Sequence, residues 1–349
     1  MISFVIEGPN KWGLREVPDP QCGPSEIVVR VSHVGVCASD YEILIGTRPV
    51  THVSYPIIPG HEWVGEIVEV GHAAADLHVG QLVVVEGVFH CGRCRNCVVG
   101  NTNLCLKPYN EIGFTHSGAF GQYVVAPAYM AHPVEIAAGV ARHDLALVEP
   151  CACAVNAGLL AQPGPGDSVA VVGGGTVGLL LCQYVAMRNA RSLVVFDHNP
   201  ARLSLARQLG ATGTVLTNDR NPDMPNGFDI VFEAVGHPSA VQTALRIGRK
   251  GSHIVLLGIA GRQAQLSIES DLFVLNALRI SGIFSYTRRS FAESADLVSR
   301  GRIQAHPLIE KIVSLTSAAE AIQHVGTGKL SRPKVLVDMQ RSILPYEHA

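Results

Sequence analysis

Four cysteines in one short loop form the most specific chemical pattern in the chain. Cys91, Cys94, Cys97 and Cys105 follow the spacing C-x2-C-x2-C-x7-C in a segment rich in Gly and Asn, about residues 90–106. Four thiolates on so short a segment can surround one tetrahedral ion, and soft sulfur ligands suit zinc. Because four protein ligands leave no open position, the spacing predicts a structural zinc. Two disulfides or an iron–sulfur cluster are the alternatives.

A second set of possible metal ligands is dispersed. Cys37 lies in the segment GVCASD (35–40), and the pair His61-Glu62 follows a Pro-Gly turn (59–60). Thiolate, imidazole and carboxylate are all zinc ligands. An isolated cysteine or a single His-Glu pair, however, more often belongs to a core or a surface. The residues alone leave both interpretations open.

A glycine-rich turn indicates a third kind of chemistry. The segment GGGTVG (173–178) satisfies G-x-G-x-x-G, follows a predicted strand and opens a predicted helix. In a dinucleotide site Gly173 allows the tight turn, Gly175 lets the backbone approach the pyrophosphate, and Gly178 lets the helix pack on the sheet. Thr176 and Val177 then lie at the helix N-terminus, whose free N–H groups face the phosphates. A glycine turn that binds no dinucleotide is the alternative.

Residues at the end of the next strand and just after it indicate which cofactor, NAD or NADP, the site prefers. Asp197 ends that strand and is expected to accept hydrogen bonds from the adenosine ribose hydroxyls. Its negative charge repels a 2′-phosphate, and His198 and Asn199 supply no obligate cation, so NAD is favoured over NADP. Arg202, on the following helix, either approaches the adenosine end of the cofactor or is a solvated helix charge.

Two patterns of secondary structure must position these residues. The first 150 residues contain short, valine-rich runs separated by Gly and Pro turns, which predicts a barrel-like β domain. After residues 162–167 strands and helices alternate, as is typical of a doubly wound parallel sheet. The final 60 residues carry further helix and a strand at 335–337, expected to pack back on the first domain. The strands of the parallel sheet are predicted at 169–172, 193–196, 214–216, 230–233, 254–257 and 280–284.

Composition restricts the classes of function. The chain has 349 residues, 47% hydrophobic and 16% charged, with a net charge of −2. The length suits two domains, and the composition is that of a soluble globular protein. No basic excess is available to neutralise the phosphates of a nucleic acid. The first residues lack a basic, apolar signal pattern, and nine cysteines are an odd count, so we expect a cytoplasmic protein without a disulfide framework.

One uncharged stretch, residues 168–187, is long enough to span a bilayer. Four glycines lie in its middle, with valines before them and leucines after. That arrangement favours a buried strand, a turn and a buried helix, and we expect no membrane partner.

Taken together, these residues resemble the zinc-dependent medium-chain dehydrogenases, and most closely their polyol branch of sorbitol- and threonine-dehydrogenase-like enzymes. The markers occur in the family's order over nearly the whole chain: the segments 35–40 and 60–68, the four-cysteine loop, the pair Glu149-Pro150, and the glycine turn. The resemblance implies a GroES-like catalytic domain (1–155 and 287–349) and a Rossmann NAD-binding domain (156–286).

The resemblance also implies roles for individual residues. Cys37 and His61 hold a catalytic zinc, Glu62 supplies an oxygen ligand, and Glu149 lies close enough to bind directly or through water. Glutamate at 149, where classical alcohol dehydrogenases have cysteine, points to the polyol branch. Ser39 matches the hydroxyl residue that passes the substrate proton outward.

The implied reaction oxidises the secondary hydroxyl of a polyol, cyclitol or amino alcohol to a ketone. Zinc acts on the alcohol as a Lewis acid, and hydride passes to C4 of the nicotinamide of NAD in the cleft between the domains. The resemblance implies two zinc ions per chain, a small-molecule alcohol substrate and a homodimer or homotetramer.

One position departs from the pattern, and several alternatives remain. Many relatives carry a histidine five residues after the first zinc-binding cysteine, where this chain has Glu42 preceded by Tyr41; His52 is a possible substitute. Segments 59–65, 113–115 and 118–119 also resemble 2-deoxy-scyllo-inosamine dehydrogenases of aminoglycoside pathways. An NADP-preferring carbonyl reductase, the zinc-free quinone-reductase branch and a non-catalytic binding protein are further alternatives. The ligand set argues against the last two.

The remaining cysteines and histidines receive structural interpretations. Cys151, Cys153 and Cys182 lie in apolar surroundings and are expected to be buried small hydrophobic residues. Residues 284–286 (FSY) either line the nicotinamide pocket or simply end a strand. Seven histidines show no ligand spacing around them: His33, His72, His78, His90, His132, His143 and His253.

Overall fold

The computed structural model describes residues 1–217, 225–259, 261 and 264–341. The chain divides into two compact units, one formed by Met1–Glu149 with Phe291–Ala349 and the other by Pro150–Ser290. The sequence placed the domain limits after residues 155 and 286. One helix, Val148–Ala161, runs across the first change of unit. The limits of the domains as functional parts therefore stay a prediction.

Fifteen β-strands lie in the described part of the chain. They are β1 (Ile2–Gly8), β2 (Lys11–Glu16), β3 (Glu26–Val36), β4 (Glu62–Val70), β5 (Leu82–Val85), β6 (Tyr123–Pro127), β7 (Ala131–Pro133), β8 (Ser168–Val172), β9 (Ser192–Asp197), β10 (Gly213–Leu216), β11 (Phe228–Glu233), β12 (Gly248–Leu256), β13 (Arg279–Gly282), β14 (Ile309–Ser314) and β15 (Lys334–Asp338).

The same residues form nine α-helices and several single 3₁₀ turns, of which two matter below, Arg142–Leu147 and His306–Leu308. The α-helices are α1 (Ala38–Ile45), α2 (Arg95–Val98), α3 (Val148–Ala161), α4 (Thr176–Ala186), α5 (Pro200–Gln208), α6 (Pro238–Ile247), α7 (Asp271–Leu275), α8 (Arg288–Ser299) and α9 (Ala318–Gly326).

The first unit is built around the long strand β3. Its sheet has the order β14-β15-β3-β4-β5-β7, and β6 also pairs with β3. β3 pairs with β4 along one edge, and with β6 and then β15 along the other, all antiparallel. A strand paired on both edges and covered by the core reads as a continuous valine-rich run, which explains the composition of β3. The predicted β domain is confirmed, including the return of the chain's last strand to it.

The second unit is a six-stranded sheet in the order β10-β9-β8-β11-β12-β13, with every pair parallel. This is the doubly wound arrangement expected from the sequence. The strand order reverses beside β8, and in such sheets ligands bind outside the carboxyl ends of the strands at that point. The glycine turn follows β8 directly, so the fold places it at this position.

Local signals explain where the helices begin. Asn199 caps α5 by accepting the N–H of Ala201, and Pro200 occupies the first turn, as predicted. The stretch 168–187 forms β8, the turn and α4 rather than one helix. A different helical run, Arg142–Ala161, has the length and apolar composition of a membrane span, and 67% of its most apolar window is buried inside the protein.

Candidate active site

The four cysteines of the loop come together at one point. Their sulfur atoms all lie within 4.8 Å of one another, with Cys91 Sγ 4.0 Å and Cys94 Sγ 3.4 Å from Cys97 Sγ. Zinc–sulfur bonds of about 2.3 Å at tetrahedral angles would separate the sulfurs by roughly 3.8 Å. A disulfide would need a separation of about 2.05 Å. The spacing of the sulfurs therefore fits a metal ion and not a pair of disulfides.

Backbone N–H groups stabilise the anionic form of two thiols in this loop. The N–H groups of Leu106 and Cys97 lower the pKa of Cys94 to about 6, and the N–H of Arg93 lowers the pKa of Cys91. Burial and the neighbouring Cys94 raise the pKa of Cys97 to about 12. A dication at the centre of the loop would stabilise the thiolate form of the sulfurs and offset two of their four negative charges.

The dispersed ligands converge because two neighbouring strands position them. Cys37 follows the last residue of β3 and precedes α1, and His61 precedes Glu62, the first residue of β4. Glu62 is paired in register with Gly35 of β3. One ligand atom from each of Cys37, His61 and Glu62 lies within 4.8 Å of the other two. Three residues of the predicted ligand set are thus brought together, with His61 and Glu62 buried.

Asp40 lies between the two ends of this cluster and is hydrogen-bonded to one of them. Its Oδ2 accepts the backbone N–H of Cys37 at 2.8 Å, and its Oδ1 lies 3.7 Å from Nδ1 of His61. Asp40 is fully buried, and among the described residues neither Asp40 Oδ1 nor His61 Nδ1 has a hydrogen-bond partner. With Nδ1 directed to the carboxylate, Nε2 is left for a metal ion. A carboxylate behind a ligating histidine is a common support of zinc sites.

A buried lysine completes the environment of Glu62. Lys334, the first residue of β15, places its Nζ 2.5 Å from Glu62 Oε2 and 3.0 Å from the carbonyl oxygen of Val36. Both side chains are almost entirely buried, at 3% and 2% exposure. Burial opposes the charged form of Lys334, but the carboxylate of Glu62 and the thiol of Cys37 raise its pKa.

Two further carboxyl groups are buried near the cluster. Glu149, in the first turn of α3, lies outside the group of ligand atoms within 4.8 Å. Burial raises its pKa well above the usual value, and Glu62 and Glu111 add to the effect. Burial also raises the pKa of Glu111 to about 8, against the influence of Arg48. The hydroxyl of Tyr109 donates a short hydrogen bond to Glu111 Oε2.

The electrostatics of the cluster fit a bound cation. Burial and Glu62 raise the pKa of Cys37, and burial, with Glu62 adding to it, raises the pKa of Asp40 to about 7. Burial and Lys334 lower the pKa of His61 to about 3, so its imidazole is neutral and able to act as a ligand. Acidic groups gathered in a buried space are disfavoured as anions unless a positive charge is supplied. Thiol, imidazole and carboxylate groups at this spacing fit the three protein ligands predicted for a catalytic zinc with an open position.

The predicted proton path starts beside this cluster. Ser39 lies in the first turn of α1 and is partly exposed, between the exposed Ala38 and the buried Asp40. Glu42, the position at which the sequence departs from the family pattern, accepts from Arg48 Nη1 at 3.2 Å. The Arg48 guanidinium in turn covers the ring of Phe114 at 4.2 Å. Glu42 is thus held in an ion pair, while the rings of His52 and Tyr109 lie 4.6 Å apart.

The glycine turn has the geometry that its motif requires. Gly173 has φ +107°, a conformation that disfavours any other residue. A Cβ at Gly178 would lie 1.9 Å from the carbonyl oxygen of Gly173, so only glycine allows α4 to pack so closely. A Cβ at Gly175, which caps α4, would meet nothing within 4 Å. That side of the turn is open to a phosphate group, with Thr176 and Val177 in the first turn of the helix.

Asp197 is anchored to the same turn. Its Oδ2 accepts the N–H of Gly174 at 2.6 Å and its Oδ1 accepts the N–H of Asn199 at 2.7 Å. Arg202 is buried on α5, and its Cβ would lie 3.3 Å from a Cβ at Gly174. The predicted acid and the predicted arginine therefore both lie at the glycine turn. Their roles toward a nucleotide stay predictions.

Comparisons with known proteins agree with this arrangement. Residues 23–136 match the alcohol dehydrogenase GroES-like domain, and residues 176–300 match the zinc-binding dehydrogenase family. An L-threonine 3-dehydrogenase from Cutibacterium acnes is 34% identical over 332 residues, which cover 90% of this chain and 92% of that protein.

Two solved structures extend the likeness to three dimensions. A zinc-binding dehydrogenase from Sinorhizobium meliloti 1021, bound to NADP, has a TM-score of 0.89 at 29% identity and covers 97% of this chain and 99% of its own. A short chain alcohol dehydrogenase from Escherichia coli CFT073, complexed with NADH, has a TM-score of 0.88 at 28% identity, with the same coverage.

The chain belongs to the zinc-binding alcohol dehydrogenase family. The resemblance to the threonine and polyol branch is confirmed, as is the pairing of a GroES-like domain with a Rossmann-type domain. The protein is a zinc-dependent dehydrogenase that uses NAD(P), and the four-cysteine loop fits the structural zinc of such enzymes. The roles assigned to individual residues of the active site stay predictions.

Sequence reasoning missed three buried charged residues near the cluster. Asp40 was visible inside the segment 35–40, and its spacing of three residues from Cys37 on an N-terminal helical turn was the available signal. Lys334 directly precedes the strand predicted at 335–337, but nothing in the sequence indicates that its partner is Glu62. Glu111 follows the cysteine loop, among residues whose placement depends on the fold.

Proposed function

We propose that this enzyme oxidises a secondary alcohol of a small polar molecule to a ketone and reduces NAD. The observation that carries the proposal is the convergence of Cys37, His61 and Glu62 within 4.8 Å in a buried site backed by Asp40. A zinc ion held there supplies Lewis-acid chemistry that lowers the pKa of an alcohol. The reaction converts one secondary alcohol and one NAD⁺ into one ketone, one NADH and one proton.

The chain's own residues supply positioning and proton transfer. Asp40 anchors the backbone of Cys37 by a hydrogen bond, and its charge 3.7 Å from Nδ1 of His61 favours the ring orientation that a metal ligand needs. Lys334 restrains the carboxylate of Glu62 through a direct hydrogen bond. Ser39, two residues after Cys37, accepts the substrate proton and passes it outward. Because Glu42 is paired with Arg48, the outer end of this proton relay is a carboxylate in an ion pair. A relay with histidine at that position would end at an imidazole instead.

We propose NAD rather than NADP as the preferred cofactor. Asp197 is negatively charged, buried and held by the N–H of Gly174 at the glycine turn. A carboxylate there accepts hydrogen bonds from the two ribose hydroxyls of NAD and repels the 2′-phosphate of NADP. One structural relative is bound to NADP and another to NADH, so both cofactors occur among similar proteins.

The substrate class proposed is a polyol, a cyclitol or an amino alcohol. Glu111 and Glu149 are carboxyl groups buried near the ligand cluster, where a simple hydrocarbon alcohol would offer them no partner. A substrate with several hydroxyls, or with an amine, would supply such partners. The relative named for L-threonine acts at a secondary alcohol that carries an amine, which supports this class.

We further propose a homo-oligomer in the cytoplasm. β13 is the last strand of its sheet and pairs on one side only, with β12, among the residues described. The adjacent helix α7 exposes Val274 and Leu275, at 80% and 73%. An unpaired edge beside exposed apolar side chains is suited to a second copy of the chain. Analytical ultracentrifugation of Val274→Glu against wild type tests this part.

The reaction itself is tested by absorbance at 340 nm with a panel of polyols, amino-cyclitols and amino alcohols. NADH formation with at least one secondary alcohol, together with two zinc ions per chain by elemental analysis, is expected. Turnover of primary alcohols alone, or a protein that holds only one zinc when fully active, would contradict the proposal.

A further inference from the structure

A second group of metal-ligand side chains lies apart from the two sites described above. His143 and Asp144 come from the 3₁₀ turn Arg142–Leu147, and His306 opens the 3₁₀ turn His306–Leu308. Their ligand atoms all lie within 4.8 Å of one another. Nε2 of His143 is 3.6 Å, and Nδ1 of His306 is 4.0 Å, from Oδ1 of Asp144. No pattern along the chain indicates this group, since His143 shows no ligand spacing around it.

Two of these atoms are buried without a hydrogen-bond partner. Oδ1 of Asp144 and Nε2 of His143 are both inaccessible to solvent and make no hydrogen bond within the described part of the chain. Asp144 as a whole has an exposure of only 6%. An unpartnered buried carboxylate oxygen destabilises the folded chain unless another group satisfies it. The two atoms face each other at a distance too long for a hydrogen bond.

The second carboxylate oxygen of Asp144, Oδ2, is anchored by a backbone hydrogen bond. Oδ2 accepts the backbone N–H of Ala141 at 3.0 Å, at the start of the 3₁₀ turn. The turn continues directly into α3, so the carboxylate is anchored at the start of a long helical run. His306, by contrast, has a side chain that is 72% exposed. The group is therefore a fixed, buried acid with one histidine beside it and one at the surface.

The separations suit an ion between the three side chains. Bonds of about 2.0–2.2 Å from nitrogen and oxygen to zinc, at tetrahedral angles, place neighbouring donors roughly 3.3–3.6 Å apart, and wider angles place them about 4 Å apart. Two imidazoles and one carboxylate favour zinc, copper or nickel over magnesium or calcium, which take oxygen ligands. Water can fill the remaining positions on the exposed side.

The arginines near this group form their ion pairs with carboxylates other than Asp144. Arg142 lies 4.0 Å from Glu66, and Arg341 lies 3.2 Å from Asp338, so both neighbouring cations are directed to other carboxylates. His33, whose ring centroid is 5.6 Å from that of His143, is 4.0 Å from Asp338 and stays outside the ligand group.

We propose that His143, Asp144 and His306 form a third metal site, which binds a divalent first-row transition ion such as Zn²⁺ or Ni²⁺. The ion cross-links the turn that leads into Glu149 to a segment near the other end of the chain. It therefore fixes the start of α3, where Glu149 lies five residues after Asp144. This site does not depend on the proposed reaction.

The test uses untagged holoenzyme that carries two zinc ions per chain. Equilibrium dialysis against Ni²⁺, with elemental analysis of both metals, separates added nickel from resident zinc. Wild type is expected to take up one nickel per chain without losing zinc. His306→Ala, which alters an exposed side chain, is expected to weaken that uptake at least tenfold, and His324→Ala, an exposed histidine on α9, is the matched control.

Two further variants test the two less exposed residues of the proposed metal site, His143 and Asp144. His143→Ala is expected to weaken nickel uptake as His306→Ala does, and combining both substitutions is expected to add little. Asp144→Asn retains an acceptor for the N–H of Ala141 but removes the charge, and is also expected to weaken uptake. Absence of a third equivalent in wild type up to millimolar nickel overturns the proposal. Uptake that His306→Ala leaves unchanged overturns it as well.

Discussion

Nζ of Lys334 lies 2.5 Å from Oε2 of Glu62, and neither side chain reaches solvent to any appreciable extent. The pair joins the first residue of the returning strand β15 to a predicted zinc ligand on β4. A charge pair taken out of water is costly to separate, because the remaining ion has neither a partner nor hydration. Lys334 therefore links the packing of the chain's last strand to the charge state of the active site.

The first prediction concerns this pair. Lys334→Met should lower the free energy of unfolding by about 3–5 kcal/mol, as expected when one member of a buried ion pair is removed. Lys334→Arg, which retains the charge, should lose less. Urea denaturation of the zinc-loaded protein measures both. Lys11→Met breaks the exposed pair of Lys11 with Glu7 and should leave the midpoint unchanged. Equal effects of the lysine substitutions at 11 and 334 would refute the argument.

The second prediction concerns the metal ligands. Cys37→Ala and His61→Ala should each abolish turnover and reduce the zinc content from two ions per chain to one, since the four-cysteine loop is untouched. NAD should still bind, because the glycine turn belongs to the other unit of the chain. Elemental analysis and fluorescence titration with NADH measure the two effects. Cys22→Ser, in a turn outside both clusters, is the control. Substantial activity in either ligand variant would show that the assignment is wrong.

The third prediction concerns Asp40. Asp40→Asn retains an acceptor for the N–H of Cys37 but removes the negative charge 3.7 Å from His61 Nδ1. Changes behind a metal-binding histidine typically cost about 10–100-fold in metal affinity or activity. We expect catalytic zinc to be lost to a chelator at correspondingly lower concentration, while the zinc of the cysteine loop is retained. Unchanged chelator resistance would mean that Asp40 has only a capping role.

Much of this architecture could be predicted from the sequence, and the reason is local. The six strands of the parallel sheet are short apolar runs between turn residues, and Asn199-Pro200 marks the start of a helix on its own. The cysteine loop is equally local, because its four ligands lie within fifteen consecutive residues. The glycine turn could be identified from its immediate neighbours alone, a strand before it and a helix after it.

Contacts between residues that lie far apart in the chain could not be predicted from local sequence patterns. Glu62 meets Lys334 only because β15 pairs with β3 beside β4, and no pattern along the chain encodes that register. Likewise Asp144 and His306 meet through two separate turns of the same unit. The convergence of Cys37 with His61 and Glu62 was implied by family resemblance, whereas the residues themselves left it open. Glu149 was named as a ligand and lies outside the close group, so its role still requires measurement.

The fourth prediction concerns cofactor choice. Asp197→Ser should raise the KM for NAD at least tenfold and improve the relative use of NADP, because the substitution removes the charge that repels a 2′-phosphate. The ratio of kcat/KM values for the two cofactors is the measurement. Asp296→Ser, at an exposed position on α8, serves as the control. A ratio unaffected by Asp197→Ser would remove the reason for preferring NAD.

The fifth prediction concerns pH and the buried carboxyl of Glu111. Burial raises its pKa from 4.5 to about 8, so the folded protein retains this proton where the unfolded chain has lost it. Between these two values the folded state binds more protons than the unfolded state, and stability must fall as pH rises. The contribution of this proton is fully present below pH 4.5 and is lost by about pH 8. Glu111→Gln, which stays neutral, should remove this component and flatten the decline.

Urea denaturation at intervals across the neutral range, with wild type and Glu111→Gln compared at each pH, measures the effect. Glu135→Gln, a substitution outside the buried cluster, should reproduce the wild-type slope. The difference between wild type and Glu111→Gln should grow in favour of the glutamine variant as pH approaches 8 and then become constant. A difference independent of pH would show that Glu111 is ionised throughout, held as an anion by Arg48. In that case Glu111 would add one negative charge to the pocket near the metal ligands at neutral pH.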